Sequence, residues 1–360
     1  MISLLFLQDI YVTMSKFHTL TIQEIKIETK DAVSILFSIP QAIKNSFLFK
    51  AGQYVTLKKV IQGEEVRRAY SICSGSQEGE LRVAIKAVEN GKFSTYATKE
   101  LTVGDTIEVM PPEGKFVLEP KANKHYIGFA AGSGITPILA MIKDVLGNAE
   151  AKFTLVYGNK TATDTIFFEE LNALQKTHSD RLTIHYVYSR EENPNAFSGR
   201  IDATRVAYIF KELYTNTTFD AAFLCGPEEM ITTASEVIAG TYIAKENIHF
   251  ELFTAVTAAD DTTQIAEGIS QVKVLLDDEE VSFSMQHTDT ILAASLRNKL
   301  DAPYSCQGGV CSSCIAKITE GKAIMTKKSI LSEEELEEGF VLTCIAHPTT
   351  SVLAVDFDDV

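Results

Sequence analysis

The feature that most constrains this chain is a thiol-rich run near its C-terminal end, Pro303-Tyr304-Ser305-Cys306-Gln307-Gly308-Gly309-Val310-Cys311-Ser312-Ser313-Cys314, answered much later by Cys344. The spacing C-x4-C-x2-C puts three donors on one tight loop and leaves a distant fourth to close the site. Gly308 and Gly309 supply backbone turns without a Cβ clash. Ser312 and Ser313 are small and leave their N–H groups free to bond sulfur. Structural zinc favours paired C-x2-C units, and only one such pair is present. A disulfide framework suits short secreted chains, not 360 residues without a clear signal peptide. The pattern is therefore read as four thiolates, Cys306, Cys311, Cys314 and Cys344, on a 2Fe–2S cluster. A one-electron centre needs an electron source, and the rest of the chain is read for one.

The loop resembles that of plant-type ferredoxins, over residues 269–360, and implies an α+β β-grasp domain there. That stretch carries fifteen acidic and seven basic side chains, about half of the net charge of −15. Nucleic acid and anionic membrane are poor partners for such a chain. Length alone suggests two or three domains. Cys73 and Cys225 remain unassigned and far apart, which fits a reducing cytoplasm; Cys73 is read as a small buried hydrophobe. Residues 1–14 open with an apolar run, Met1–Val12, too short to span a bilayer and poor as a signal peptide. They are expected to be a disordered extension, with a membrane-surface anchor as the alternative.

From 15 to 119 the pattern is β. Strands are expected at His18–Ile27, with a break between Ile22 and Ile25, and at Val33–Ile39, Gln53–Val60, Val66–Ile72, Leu81–Val88 and Thr106–Met110. Short strands at this spacing suggest an antiparallel β-barrel, with one helix at Ser94–Glu100. Arg68-Ala69-Tyr70-Ser71 ends a strand: an aromatic can stack on a flavin, Arg can pair with phosphate, and Ser can bond a polar ring edge. Tyr70 could equally be a plain strand aromatic. Gly91-Lys92-Phe93-Ser94 opens the helix and offers N–H groups to an anion.

From 120 to 254 strands and helices alternate, as in a parallel α/β sheet. Strands are expected at Tyr126–Ala131, Phe153–Tyr157, Leu182–Tyr188, Ala221–Cys225 and Ile248–Leu252. Helices are expected at Ile135–Leu146, Thr165–Lys176, Thr204–Leu213 and Pro227–Ala239. Gly132-Ser133-Gly134-Ile135-Thr136-Pro137 joins the first strand to its helix; its glycines let a pyrophosphate approach the backbone, and Pro137 suits the first helical turn. Phe253 follows the last strand and is either a cofactor contact or core. Residues 255–268 are small, acidic and Thr-rich, and read as a linker.

Taken together, Arg68–Ser71, Gly91–Ser94, Gly132–Pro137, Tyr157-Gly158-Asn159 and Cys225-Gly226-Pro227 are similar to motifs of the ferredoxin–NADP reductase superfamily. The order of modules resembles the oxygenase reductases that carry a C-terminal plant-type ferredoxin domain. The resemblance implies that Cys225, Gly226 and Pro227 lie beside the nicotinamide. It implies FAD, because two phosphate-directed elements suit a pyrophosphate. It also implies hydride transfer from a nicotinamide dinucleotide to the flavin, single electrons to the cluster, and an oxygenase or other electron-acceptor protein as partner. No acid–base pair is needed, and His125 and His347 are expected to be structural. A non-enzymatic redox sensor or carrier is the rival reading.

Ser189-Arg190 ends the third strand of the second module, near where an adenosine ribose would lie. The pair is similar to the 2′-phosphate element of NADP-using reductases and favours NADPH. NADH stays open because Glu191 is adjacent, and Arg190 could simply pair with Glu191 or Glu192. Ser332 to Glu335 reads as a capping box opening an acidic helix, either a solvated helix or a docking patch.

Overall fold

A computed structural model describes residues 17–147, 150–253, 265, 267–326 and 330–360. The expected extension at 1–14 and nearly all of the expected linker at 255–268 lie outside the described residues.

The first module holds β1 (His18–Thr29), β2 (Ala32–Ser38), β3 (Tyr54–Ile61), β4 (Glu64–Ser71), β5 (Leu81–Lys86), α1 (Lys92–Lys99) and β6 (Thr106–Val109). The strands form one antiparallel sheet in the order β4-β3-β6-β1-β2-β5. An isolated Ile72–Val83 bridge ties the two edge strands and closes the barrel. The break seen in the first strand is a β-bulge: the β1–β2 register shifts between Ile22 and Glu24. A 3-10 turn at Gln41–Phe47 was not foreseen.

The second module holds β7 (His125–Ala131), α2 (Ile135–Gly147), β8 (Lys152–Asn159), α3 (Phe168–Thr177), β9 (Leu182–Tyr188), β10 (Phe197–Ser198), α4 (Ala203–Tyr208), β11 (Ala221–Gly226), α5 (Glu228–Ile238) and β12 (Ile248–Leu252). Its order is β10-β9-β8-β7-β11-β12, and every pairing is parallel. The central strands read as unbroken buried runs because helices cover both faces. The order in which strands are added reverses between β7 and β11, so the loops after these two strands flank a crevice at the sheet's C-terminal edge. The third helix begins later than expected because Thr161 caps a 3-10 turn at Ala162–Asp164 and Phe167 is left-handed. The fourth ends in a π-turn at Ile209–Leu213.

The third module holds β13 (Ile269–Leu276), β14 (Glu279–Gln286), α6 (Ile291–Arg297), β15 (Ile315–Glu320), β16 (Ala323–Met325), α7 (Glu333–Glu337), β17 (Phe340–Leu342), β18 (Ala346–Pro348) and β19 (Val352–Asp356). Its sheet runs β14-β13-β19-β15-β17. The β13–β19 pair is parallel and its neighbours antiparallel. β13 alternates strictly, with Val272, Val274 and Leu276 inward and Gln271 and Lys273 outward. Those side chains pack with Ile291, Leu292 and Ala294 of α6.

The modules are joined in two different ways. The first two share one apolar core, in which Ala51, Cys73, Phe116 and Leu118 pack with Leu139, Met141 and Ile142 of α2. Fully burying each large aliphatic or aromatic side chain contributes about 1.5–3 kcal/mol. Gly52 sits at that joint with φ +105°, and a Cβ there would lie 1.9 Å from the Phe116 carbonyl oxygen. The third module meets the barrel mainly through polar contacts: Tyr54 to Ser312 and Ser313, Arg67 to Asp301, and Lys115 to Glu335.

Candidate functional site

Two cavities meet where the three modules converge. The first, of about 290 Å³, is walled on the barrel side by Arg68, Ala69, Tyr70 and Ser71 and by Gly91 to Ser94. These segments come together because β4 ends beside the N-terminus of α1. Tyr70 packs on Phe93 with ring centroids 5.6 Å apart. Gly91 is required at the turn, since a Cβ would stand 2.3 Å from the Ser94 hydroxyl. That hydroxyl accepts from the Val88 N–H at 3.2 Å and locks the helix start. Lys92 pairs with Glu64 at the surface. The Arg68 guanidinium donates to the Arg67 carbonyl at 2.6 Å.

The opposite walls come from the other modules. Ser133 and Thr136 belong to the loop after β7, Glu251 to Phe253 to the end of β12, and Cys306, Val310 and Cys311 to the thiol loop. The cavity is largely apolar with a few polar groups at its edges, the character of a cofactor site. Aromatic faces, a helix N-terminus and cationic side chains fit a flavin with its phosphates.

The second cavity, of about 470 Å³, lies over the C-terminal edge of the parallel sheet. Gly132, Ser133 and Gly134 line it, as do Gly158, Asn159, Ser189, Arg190, Gly226 and Pro227. Gly132 has φ +55° and open space where a Cβ would stand, so a ligand can approach its backbone. Gly134 admits no side chain: a Cβ would lie 2.0 Å from the Cys225 carbonyl oxygen. Tyr157 steadies the loop by donating to the Gly132 carbonyl at 3.0 Å. Asn159 lines this cavity beside the loop after β7. A dinucleotide laid along the edge would meet the bare backbone there. Ser133, Phe253 and Lys86 belong to both cavities, so the two form one continuous site.

Arg190 is exposed and forms no ion pair with Glu191 or Glu192 among the described residues. Glu191 instead accepts from the Ala162 N–H at 2.8 Å and from Asn193 at 3.1 Å. Pro137 and Cys225, both expected at the cofactor, are buried and line neither cavity. Phe253 is 38% exposed at the junction and is not core.

The three thiols of the loop and that of Cys344 converge as free thiols, Cys306 interacting with Cys311 and Cys344, and Cys344 with Cys314. Among the described residues no group of three donors is arranged around a single metal ion. Shared mutual bonding pulls the Cys306 thiol well down and pushes that of Cys344 up. The Gly308 N–H donates to Cys306 Sγ at 3.3 Å. Gln307 and Gly309 both take positive φ, and a Cβ on Gly309 would meet Ile345 at 2.7 Å. Four free thiols with N–H donors aimed at sulfur suit a two-iron cluster. Cys306 and Cys311 line the first cavity, while Cys314 and Cys344 do not.

Sequence reasoning missed Tyr54, Lys86 and Glu251. Nothing local marks them, since they reach the site only through the packing of modules. Burial pushes the Glu251 carboxyl up to about 8, although a bond from Ser71 partly opposes this. His125 lies at the far end of β7, bonded to Thr154, and His347 bonds the His287 carbonyl. The capping box at Ser332 forms, and Glu335 of α7 also pairs with Lys115 of the barrel at 2.7 Å.

Three family models match the chain: an oxidoreductase FAD-binding domain over residues 19–118, an oxidoreductase NAD-binding domain over 129–236, and a 2Fe-2S iron-sulfur cluster binding domain over 274–349. One subunit of the 1,2-phenylacetyl-CoA epoxidase from Escherichia coli (strain K12) is 38% identical across 96% of this chain and 99% of its own. The ferredoxin reductase component of 3-ketosteroid-9-alpha-monooxygenase from Rhodococcus rhodochrous is 32% identical across 94% and 96%. Among solved structures, phthalate dioxygenase reductase superposes with a TM-score of 0.60 at 25% identity, covering 95% of this chain and 98% of that one.

Proposed function

The chain belongs to the ferredoxin reductase components of oxygenases, oxidoreductases with FAD-, NAD- and 2Fe–2S-binding domains, and on that premise we propose that it carries electrons from NADPH to a partner oxygenase of the phenylacetyl-CoA epoxidase type. One observation carries the reading. A single cavity is walled by the Arg68–Ser71 strand end, the Gly91–Ser94 helix start, Phe253 at the mouth of the nicotinamide crevice, and Cys306 and Cys311 of the thiol loop. Hydride donor, flavin and cluster would therefore adjoin one another within one chain.

When bound, the flavin accepts a hydride and gives up single electrons, and the cluster takes them one at a time. The protein's share is placement. Tyr70 and Phe93 offer the ring a stacking face, while Arg68 and the α1 N-terminus hold phosphate. Gly132 to Thr136, with Gly226 and Pro227, lay the dinucleotide along the sheet edge. Ser189 and Arg190 meet its 2′-phosphate. Cys306, Cys311, Cys314 and Cys344 hold the cluster. Glu251 keeps a proton beside the flavin at neutral pH, and Phe253 fills the gap between the cavities and excludes water.

We propose a cytoplasmic location, since four of the six cysteines are spent on the cluster motif and the other two lie far apart, a usage that fits a reducing compartment. The reading is tested by reconstitution: purified protein with NADPH should support turnover of phenylacetyl-CoA by the epoxidase. Support of a 3-ketosteroid monooxygenase in its place would move the acceptor to that class. NADPH-dependent reduction of neither ferricyanide nor cytochrome c would revive a redox sensor or carrier.

A further inference from the structure

We propose that Tyr54 is a positioning residue for electron transfer from flavin to cluster: its hydroxyl, carried on the barrel, holds the thiol loop through Ser312 and Ser313 and fixes the contact that reaches Cys311. Tyr54 opens β3 and lies opposite Ser71 in the ladder, so it is anchored beside the flavin strand. Its backbone exchanges two 2.9 Å hydrogen bonds with Glu113. Gly114, at φ +115°, lies on its ring, and a Cβ there would stand 3.0 Å from Cδ1 and Cε1. The side chain therefore has one place to go.

From that place the hydroxyl meets Ser313 Oγ at 2.9 Å and Ser312 Oγ at 3.2 Å. Ser313 Oγ in turn lies 3.7 Å from Cys311 Sγ. Tyr54 is 3% exposed and Ser313 is also buried, so the Tyr54–Ser313 bond is dry. The ion pairs that also cross the joint each keep one partner in solvent: Asp301 is 74% exposed against 9% for Arg67, and Lys115 is 61% exposed against 22% for Glu335. Water at the exposed partner weakens such a pair, and salt screens it. A buried hydroxyl network holds its geometry more firmly. The same network ends on a cluster ligand, where hydrogen bonding to sulfur shifts the reduction potential. Tyr54 gains and loses neither electron nor proton: each electron passes from reduced flavin to one ferric iron, which becomes ferrous.

The inference rests on the reading that flavin occupies the first cavity, and the test separates the two. Holoprotein carrying Tyr54→Phe keeps the ring and loses the hydroxyl. After rapid anaerobic mixing with NADPH, the flavin-to-cluster step should slow about three- to ten-fold more than the hydride step, the size expected for one lost hydrogen bond. The reduced cluster's EPR signal and midpoint potential should also shift. Ser313→Ala should give the same changes, and the double variant should add little to either. A Tyr54→Phe protein with wild-type transfer rate, EPR signal and potential would overturn the role of Tyr54. So would losses that add fully in the double variant. Failure of NADPH to reduce any bound flavin in the wild type would instead defeat the reading beneath it.

Discussion

The Ser71 hydroxyl donates to the Glu251 carboxyl at 3.2 Å, joining the barrel's flavin strand to the last strand of the nicotinamide sheet across 180 positions of sequence. Burial raises this carboxyl to about 8, so it holds a proton at neutral pH. Carboxyls of unfolded chains ionise near pH 4.3. Between about pH 4.3 and 8 the folded protein therefore keeps a proton that the unfolded chain has lost. The stabilisation is complete below that window and falls as pH rises through it, by at most about 1.4 kcal/mol per pH unit from this group. Glu251→Gln should flatten that part of the denaturation profile. Flavin reduction by NADPH should show a break near pH 8 in the wild type and lose it in the variant; an unchanged break would assign it to another group.

We propose that the nicotinamide preference is carried by Arg190, which lines the second cavity. Because Glu191 is committed to Ala162 and Asn193, the guanidinium is left to read a 2′-phosphate. A charge-assisted phosphate contact is worth about 1.5–3 kcal/mol, or roughly ten- to a hundred-fold in affinity. Arg190→Ala should raise the KM for NADPH by about that factor and leave NADH nearly unchanged. Equal losses for both dinucleotides, or a wild type that prefers NADH, would show that Arg190 does not discriminate.

Flavin retention should depend on Tyr70. Its ring packs on Phe93 on one side and faces the first cavity on the other. A stacked aromatic pair contributes about 0.5–1.5 kcal/mol beyond burial, so Tyr70→Ala should weaken FAD retention about two- to twelve-fold. Equilibrium dialysis of the apoprotein against FAD reads this directly. Unaltered binding would make Tyr70 a plain strand aromatic.

Much of this architecture was legible in the chain itself. The break between Ile22 and Ile25 in an otherwise alternating strand is a β-bulge, and the unbroken apolar runs of β7 and β11 are parallel strands covered on both faces. Motifs tied to one turn, such as Gly91–Ser94 and Gly132–Thr136, also landed on cavity walls. Tyr54 and Glu251 were invisible, because their partners are supplied by other modules and no local pattern encodes a meeting 180 or more residues away. Arg190 lay between the two cases: its place at a strand end could be read, but its freedom from Glu191 depended on the Thr161–Asp164 turn, which draws Glu191 aside.

Within this one chain, electrons are proposed to pass from nicotinamide through flavin to the four-thiol cluster. Anaerobic rapid mixing with NADPH, followed at flavin wavelengths and by freeze-quench EPR, tests it most directly when wild type and Cys344→Ser are run together. The wild type should bleach its flavin first and then develop the rhombic signal of a reduced 2Fe–2S cluster. The variant should bleach its flavin and develop no such signal. A full cluster signal in Cys344→Ser, or cluster reduction by NADPH in flavin-free wild type, would contradict the account.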